Sequence, residues 1–253
     1  MTARTFVKTR AGARVADFQA EAAGLRWLQE AGAPVPRILE VGDAPPSLAL
    51  ERIEPGALSA TGAERLGRQL AALHRAGAPA YGALPPGSPD RTLRIGLARL
   101  SIRERDDWHE FYARDLVLPL TAQAYDGGNL SAADAAGVES ACDRIAELAG
   151  PPEPPARLHG DLWSGNLIAD RSGGGWLIDP AAYGGHREID LAMLRLFGAP
   201  SERIFAAYDE SCPLAVGHPD RIALWQLLPL LVHAVLFGGS YGPAAGDAAR
   251  RYA

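Results

Sequence analysis

Apolar residues recur every three or four positions along several stretches of the chain, which is the spacing of one helix face. Over residues 15–30 the stripe runs from Val15 to Leu28, and Gly32 and Pro34 then follow as stop signals. This pattern predicts an α-helix from Val15 to Glu30. The same spacing predicts further helices over residues 63–75, 103–120, 129–148, 201–208 and 224–237.

Short alternating or apolar runs predict strands at residues 4–8, 37–41 and 48–53. Two more apolar segments, 167–169 and 176–178, flank a Ser-Gly-Gly-Gly turn and predict a tight hairpin. Between the first strands and the later helices lies the polar segment from Glu51 to Gly56, which carries Pro and Gly. We expect this segment to be a hinge between a small unit and a larger, mostly helical one.

Composition narrows the class of protein. The chain has 253 residues, 47% of them hydrophobic, and a formal net charge of −5 without a basic run, which argues against nucleic-acid binding. Cys142 and Cys212 are isolated, so a reducing compartment is the simpler expectation. The apolar run 224–239 is interrupted by Pro229 and His233 and is shorter than a bilayer span. A cytoplasmic protein without a membrane segment is therefore predicted.

The densest candidate chemistry lies between Leu158 and Asp190. Asp161 precedes Asn166 by five residues, and the hairpin that follows ends in Asp179. Because the open end of the hairpin brings Asn166 and Asp179 together, an amide oxygen and a carboxylate should lie side by side, a ligand pair suited to Mg²⁺. Asp161 then lies where it could orient an incoming hydroxyl and accept its proton. These residues outline a phosphoryl-transfer site.

Two segments carry a family resemblance: HGDLWSGN at residues 159–166 and IDPAAYGGHREIDLAM at residues 178–193. They resemble the signature of the fructosamine (ketosamine) kinases, within the wider group of aminoglycoside phosphotransferases and choline kinases. The resemblance covers nearly the whole chain. It implies a two-lobed α+β protein-kinase-like fold, with an N-terminal nucleotide-binding lobe over residues 1–54 and a C-terminal catalytic lobe over residues 55–253.

The resemblance also implies binding of ATP with Mg²⁺. Lys8 would close the first strand and grip the nucleotide phosphates, and Glu21 in the first helix would hold the lysine in place. Lys8 is the single lysine among the 25 lysine and arginine residues. The chain therefore has an ammonium group at this position, whereas every other such residue is an arginine. The backbone of the hinge would contact adenine, which assigns this role to Glu51, Arg52 and Ile53. Solvated surface charges are the alternative interpretation.

Further residues are candidates for contact with the acceptor or for support of the site. Trp163 is suited to stacking on a sugar, although a packing role is nearly as plausible from the residue type. Asp107 and Trp108, on the predicted helix 103–120, would wall the acceptor side, and His186 and Arg187 could face the acceptor from a connecting loop. His159 and Asp190 are expected to brace the loop, with Asp190 also capping the helix that follows.

The chain departs from the family pattern at its beginning. In kinases of this type a glycine-rich hairpin precedes the lysine strand, whereas seven residues precede Lys8 here. A late start codon, loss of the hairpin in this lineage and supply of the hairpin by another chain all remain open. If the hairpin is missing, the first strand is an exposed edge, which predicts a homodimer paired or braced there and weak ATP binding.

The function expected from the resemblance is transfer of the γ-phosphate of ATP to a sugar hydroxyl of a ketosamine, a fructosamine or ribulosamine on a small amine or a protein lysine. One alternative is a related small-molecule kinase with an aminoglycoside or choline-like acceptor. Another is a weakly active nucleotide-binding pseudokinase that regulates a partner. The acceptor, the hydroxyl that is phosphorylated and the oligomeric state are not decided by the residues.

Overall fold

A computed structural model describes residues 5–198 and 200–252. Strands occupy β1 (Thr5–Lys8), β2 (Ile38–Asp43), β3 (Pro46–Glu51), β4 (Thr92–Ile95), β5 (Ala98–Ser101), β6 (Ala156–Leu158), β7 (Leu167–Ala169), β8 (Gly175–Leu177) and β9 (Tyr183–Gly185). The α-helices are α1 (Val15–Glu30), α2 (Ala60–Arg75), α3 (Trp108–Glu110), α4 (Leu118–Asp126), α5 (Ala132–Asp143), α6 (Ile145–Leu148), α7 (Glu188–Leu196), α8 (Glu202–Ser211), α9 (His218–Phe237) and α10 (Tyr241–Ala249). A π-helical segment, Phe111–Val117, links α3 to α4, and 3₁₀ turns cover Ser164–Asn166 and Arg250–Tyr252.

The small lobe is an antiparallel three-stranded sheet covered by one helix. The strand order is β1-β3-β2, with Lys8 of β1 opposite Leu48 of β3. Helix α1 begins and ends where the apolar stripe predicted. Its buried side chains, among them Phe18 and Leu28, pack with Leu48 and Leu50 of β3 in one apolar cluster. Burial of this stripe is what holds α1, and hence Glu21, against the sheet.

The predicted strands of this lobe are confirmed with shifted ends. The prediction 37–41 corresponds to β2 and the prediction 48–53 to β3, so Arg52 and Ile53 lie beyond the end of β3. Arg4, the predicted first residue of β1, lies outside the described residues. The cluster that contains Phe18 also includes Leu66 and Leu70 of α2, so apolar packing continues past the predicted boundary between residues 54 and 55.

Strand β1 lies at the edge of its sheet, paired on one side with β3. Phe6 and Val7 on this strand are about half exposed, as is Leu39 on β2. An apolar sheet edge of this kind is available for pairing with another strand. The homodimer predicted through this edge stays a prediction.

Helices form most of the large lobe. Helix α9 packs between α7 and α10, and α2 packs on α8. By length and composition α9 could span a membrane, with a mean hydropathy of 1.4. Its Trp225, Leu227 and Leu231 are completely buried in this lobe, together with Tyr112 of the π-helical segment. Helix α9 is therefore a core helix, as the pattern predicted, and it begins six residues earlier than predicted.

The region between α2 and α4 differs most from the prediction. The segment 77–96, whose many Pro and Gly residues indicate a loop, contains β4, which pairs with β5 in an antiparallel hairpin with Thr92 opposite Ser101. The helix predicted over residues 103–120 begins only at Trp108 and turns π-helical at Phe111. Pro119 follows this segment and cannot donate to a backbone carbonyl, which favours irregular pairing in the turn before it. The short strands β6 and β9 pair with each other, and the segment between them contains Asp161, Asn166 and Asp179. The sequence pattern did not predict these two strands.

Candidate active site

The loop after β6 carries the first candidate residues, and its path requires glycine. Gly160 has φ of +80°, a left-handed conformation that side chains with a Cβ rarely adopt. A Cβ at this position would overlap the carbonyl oxygen of Ala181. The backbone of the loop therefore passes directly against the segment that follows β8, which brings Asp161 close to Asp179.

A completely buried carboxylate, Asp190 in the first turn of α7, holds this loop from below. Its oxygens accept hydrogen bonds from the backbone N–H groups of His159 (2.7 Å) and Gly160 (2.9 Å) and from the His74 ring (3.3 Å). Burial alone would raise the pKa of Asp190, but these donors and the neighbouring imidazoles hold it below its ordinary value. The predicted bracing contact is present in this geometry. The predicted helix cap is wrong, because α7 already begins at Glu188.

His159 braces the opposite side of the loop. Its Nδ1 accepts a hydrogen bond from the backbone N–H of Asp161 (3.3 Å), so Nε2 carries the proton and donates to the carbonyl of Ile178 (3.0 Å). Burial lowers the pKa of His159, which favours this neutral form. A neutral imidazole with both nitrogens committed links the loop to the end of the β7–β8 hairpin.

Asp161 and Asn166 are joined by two hydrogen bonds from the same amide group. Asn166 Nδ2 donates to the Asp161 carboxylate (3.0 Å) and to its backbone carbonyl (2.8 Å). Burial raises the pKa of Asp161 to about 7, against the lowering effect of the bond from Asn166, and the charges of Asp179 and Asp190 raise it further. A carboxylate that exchanges its proton near neutral pH is suited to general-base chemistry.

The β7–β8 hairpin positions Asn166 and Asp179 as the sequence predicted. Ile178 donates its backbone N–H to the carbonyl of Asn166 (3.0 Å), which closes the open end of the hairpin. Asp179 follows directly with φ of +55°. In a residue other than glycine this conformation costs about 1–3 kcal/mol, and such strain concentrates at functional sites.

Lys8 connects the small lobe to this site. Its Nζ lies 2.8 Å from Glu21 Oε2 on α1 and 2.9 Å from Asp179 Oδ1. Burial alone would lower the pKa of Lys8, but the two adjacent carboxylates raise it, so the ammonium stays charged. Lys8, the single lysine of the chain, is therefore ion-paired with Glu21 and with Asp179. These are the two acidic residues that a nucleotide-binding role would require.

We call residues 159–166, which follow β6, the catalytic loop. One cleft between β1, α1 and this loop contains the predicted residues Lys8, Glu21, Asp161, Trp163, Asn166 and Asp179. The half-buried indole of Trp163 folds back over Gly165, where a Cβ would overlap the ring. The structure thus brings together six residues that come from three separate parts of the sequence.

Other predicted residues lie elsewhere. Glu51 ends β3 and pairs with Arg37 (3.4 Å), and Arg52 pairs with Glu54 (3.4 Å). The backbone N–H groups of Arg52 and Ile53 donate no hydrogen bond to any residue that the structure describes. Neither residue lines the cleft around Asp161.

Asp107, Trp108, His186 and Arg187 do not line that cleft either. Asp107 caps α3 through the N–H of Glu110 (2.7 Å), and the buried ring of Trp108 packs against His186. Arg187 is occupied by Glu153, through a bidentate pair at 2.6 and 2.7 Å. Packing and ion pairing use these side chains in the structure, and their contact with an acceptor stays a prediction.

The opposite wall of the cleft was not predicted. It consists of Arg10, Asp17 and residues of the β4–β5 hairpin. Asp17 is buried and accepts hydrogen bonds from Arg94 (3.1 Å) and Arg99 (3.1 Å), which tie the hairpin to the first turn of α1. Asp17 is evident in the sequence as an acidic residue of that turn. Its partners Arg94 and Arg99 lie far along the chain, on β4 and β5, so no local pattern predicts these contacts.

The donor set can be tested against the predicted magnesium ion. Asn166 Nδ2 makes both amide hydrogen bonds, and Oδ1 accepts none from the residues described here. Together with the Asp179 carboxylate, this oxygen fits Mg²⁺. A second acidic group, Glu153, His186 and Glu188, lies within ligand distance of one ion. Its carboxylates are already taken by arginines, Glu188 by Arg221 at 2.6 and 3.0 Å, so it does not fit a metal.

Comparisons with known proteins identify similar sequences and structures. The family model for fructosamine kinase matches residues 1–252. Ketosamine-3-kinase of Mus musculus is 32% identical over 266 aligned positions, which cover 94% of this chain and 84% of that protein. The crystal structure of a candidate fructosamine-3-kinase from Thermobifida fusca has a TM-score of 0.89 at 45% identity and covers 98% of this chain and 84% of its own.

A more distant structure shows the fold alone. The choline/ethanolamine kinase family protein of Mesorhizobium loti has a TM-score of 0.64 at 16% identity, and the match covers 99% of this chain and 82% of that chain. The predicted α+β kinase-like fold is therefore confirmed. The match of the family model over nearly the whole chain, together with the identity to two relatives, leads to one conclusion: the chain belongs to the fructosamine kinase family.

Proposed function

We propose that the protein transfers the γ-phosphate of ATP to a sugar hydroxyl of a ketosamine. The observation that carries the proposal is the Asp161 carboxylate, whose pKa is raised to about 7 in the same cleft as Lys8 and Asp179. Family membership supplies the reaction class, and the mouse relative is named a ketosamine-3-kinase. By that likeness the hydroxyl on the third carbon of the sugar is the expected acceptor.

Asp161 acts as the general base. Its carboxylate accepts a hydrogen bond from the acceptor hydroxyl and holds the oxygen in line with the γ-phosphorus. A bond forms between that oxygen and phosphorus as the bond from phosphorus to the bridging oxygen of ADP breaks. The hydroxyl proton passes to Asp161 and then to solvent. Asn166, which donates to the carboxylate and to the backbone carbonyl of Asp161, fixes the direction of the carboxylate.

Lys8 and Glu21 hold the phosphates. The Lys8 ammonium is fixed by Glu21 at 2.8 Å and contacts Asp179 at 2.9 Å, so a triphosphate entering the cleft meets a preorganised positive charge. Magnesium, when held by Asn166 and Asp179, supplies neutralisation of the phosphate charge. Among the residues beyond the cleft, the backbone N–H groups of Arg52 and Ile53, which donate to no residue that the structure describes, are the proposed contacts of adenine.

Trp163 is the proposed contact of the sugar. Its ring lines the cleft next to Asp161, and the apolar face of a sugar ring packs well on an indole. The cytoplasm is the proposed location, supported by two cysteines, Cys142 and Cys212, that are free in the structure.

The experiment is an acceptor panel assayed with ATP and Mg²⁺. The purified chain is given a fructosamine, a ribulosamine, choline and an aminoglycoside, and ADP release is measured beside the ³¹P NMR spectrum of the product. We expect a sugar phosphomonoester from the ketosamines, and loss of the product in the Asp161→Asn variant. Turnover confined to choline or the aminoglycoside would contradict the ketosamine assignment while leaving the kinase mechanism intact.

A further inference from the structure

Five aromatic rings form a continuous surface beside the catalytic loop. Trp163 meets Phe197 edge-on at 6.0 Å between ring centroids, and Phe197 lies 4.9 Å from His233. His233 in turn lies 4.9 Å from Tyr241 and 5.5 Å from Phe237. We call Trp163, Phe197, His233, Phe237 and Tyr241 the aromatic platform.

The aromatic platform adjoins the proposed active site at two points. Trp163 is shared, because it also lines the cleft that contains Asp161. Gly96, in the turn between β4 and β5, lines the same cleft, and a Cβ at Gly96 would lie 3.6 Å from Leu236 Cδ1, in van der Waals contact. Leu236 directly precedes Phe237. A ligand that leaves the cleft past Trp163 therefore meets the platform next.

The outer part of the platform is not fully used by packing. Phe237, the last residue of α9, is 67% exposed, although α9 is otherwise the most apolar helix of the core. Its neighbours Phe197, His233 and Tyr241 are each only partly buried. Exposed rings that cluster beside a cleft are typical of ligand-contact surfaces rather than of a structural core.

His233 adds a hydrogen-bond acceptor to these rings. Its Nδ1 lies 2.7 Å from the carbonyl of Pro229, which can only accept, so Nδ1 carries the proton. In the neutral imidazole Nε2 then presents a lone pair. Among the residues described, none donates to this atom. The platform thus combines the electron-rich faces of aromatic rings with one free acceptor and suits a ligand that is cationic and carries an N–H group.

We infer that the aromatic platform binds the substituted ammonium of the ketosamine, together with the alkyl chain it carries. This inference rests on the proposed function. The nitrogen of a ketosamine is attached two carbons from the carbon that bears the hydroxyl oriented by Asp161, so it emerges from the cleft at Trp163. Its positive charge faces the rings, and its N–H is directed to His233 Nε2. The platform therefore distinguishes ketosamines from free ketoses, which lack the nitrogen.

The test compares two acceptors that share a sugar, an N-alkyl fructosamine and fructose, in the wild-type chain and in single variants. In Phe237→Ala we expect kcat/KM for the fructosamine to fall about fivefold more than kcat/KM for fructose, the size of an exposed cation–π contact. Phe237→Tyr should retain the preference. Phe237→Leu keeps an apolar side chain without a ring and should lose it. Tyr125→Ala removes another half-exposed ring, on α4, and serves as the matched control with unchanged kinetics.

Several outcomes would overturn the inference without touching the proposed function. These are an equal loss for both acceptors in Phe237→Ala, a Leu variant as selective as the wild type, or a fructosamine preference that survives the double variant Phe237→Ala/Tyr241→Ala with an unchanged Tm. Absence of turnover with the fructosamine in the wild-type chain would instead refute the proposed function on which the inference rests.

Discussion

Asp161 lies in the loop that Asp190 holds, and desolvation acts on both carboxylates, yet their surroundings drive their pKa values in opposite directions. Asp161 has one side-chain donor, Asn166, and burial raises its pKa to about 7. Asp190 is more deeply buried but receives three hydrogen bonds, and its pKa is lowered. The number of donors, and not the degree of burial, separates a carboxylate left available for chemistry from one committed to holding the loop.

The largest effect is expected from Asp161→Asn. An amide keeps the shape of the side chain but cannot accept the hydroxyl proton, so kcat/KM for the ketosamine should fall by at least about 1,000-fold. Steady-state kinetics with a coupled ADP assay measures this loss.

The thermal stability of Asp161→Asn should rise at alkaline pH, although its activity falls. The folded pKa of Asp161 is raised from 3.8 to about 7, so the stability it contributes is present below the unfolded pKa and is lost as the pH rises through about 7. At pH 8 the charged carboxylate destabilises the fold, and the neutral amide of Asp161→Asn should raise Tm by about 2–4 °C. A lower Tm at pH 8 would mean that the lost activity reflects unfolding.

Among these variants, Asp190→Ala should lower the free energy of unfolding most. Asp190→Ala leaves the N–H groups of His159 and Gly160 and the ring of His74 without their acceptor in a buried site, at a loss of about 3–5 kcal/mol. Urea unfolding at pH 7 gives the value, and Asp126→Ala, on the exposed end of α4, should change it by less than about 0.5 kcal/mol.

The sign of the pH dependence distinguishes the two aspartates. The folded pKa of Asp190 is lowered, so its contribution is present above the unfolded pKa and is lost as the pH falls through the folded pKa. The difference between wild type and Asp190→Ala should therefore shrink in acid. A difference that grows as the pH is lowered would contradict the hydrogen-bond account.

A pair of glycine variants tests the path of the loop. Gly160 and Gly87 both have φ of +80°, but a Cβ would overlap Ala181 at the first position and would meet no atom within 4 Å at the second. Gly87→Ala should cost about 1 kcal/mol from its backbone conformation. Gly160→Ala should cost roughly 2 kcal/mol more, because the loop must also move away from Ala181. Equal losses in urea unfolding would show that no close approach constrains the loop.

The smallest effect is expected from Lys8→Arg. The guanidinium keeps the charge but cannot place one compact ammonium 2.8 Å from Glu21 and 2.9 Å from Asp179. We expect KM for ATP to rise about tenfold, near 1.4 kcal/mol, with little change in Tm. Arg144→Lys, at an exposed pair with Glu147, is the control. An unchanged KM for ATP would remove Lys8 from the nucleotide site.

The sequence predicted those features that local pattern determines. Helix α1 has the predicted bounds, and the β7–β8 hairpin brings Asn166 to Asp179 because a tight turn leaves one register. The β4–β5 hairpin and its ties to Asp17 were missed, since contacts between residues so far apart in the chain leave no periodic trace. Trp108 shows what the residue type alone leaves open. A conspicuous aromatic on the expected acceptor wall turned out to pack among other rings.

The most direct test of the account is the pH dependence of phosphate transfer to a ketosamine between about pH 5.5 and 8.5, a range that brackets the pKa of the proposed base. If Asp161 is the base with a pKa of about 7, kcat/KM for the acceptor should rise about tenfold per pH unit below pH 7 and level off above it. A rate that is already level at the acid end of this range, or no transfer at any pH, would contradict the central role assigned to this carboxylate.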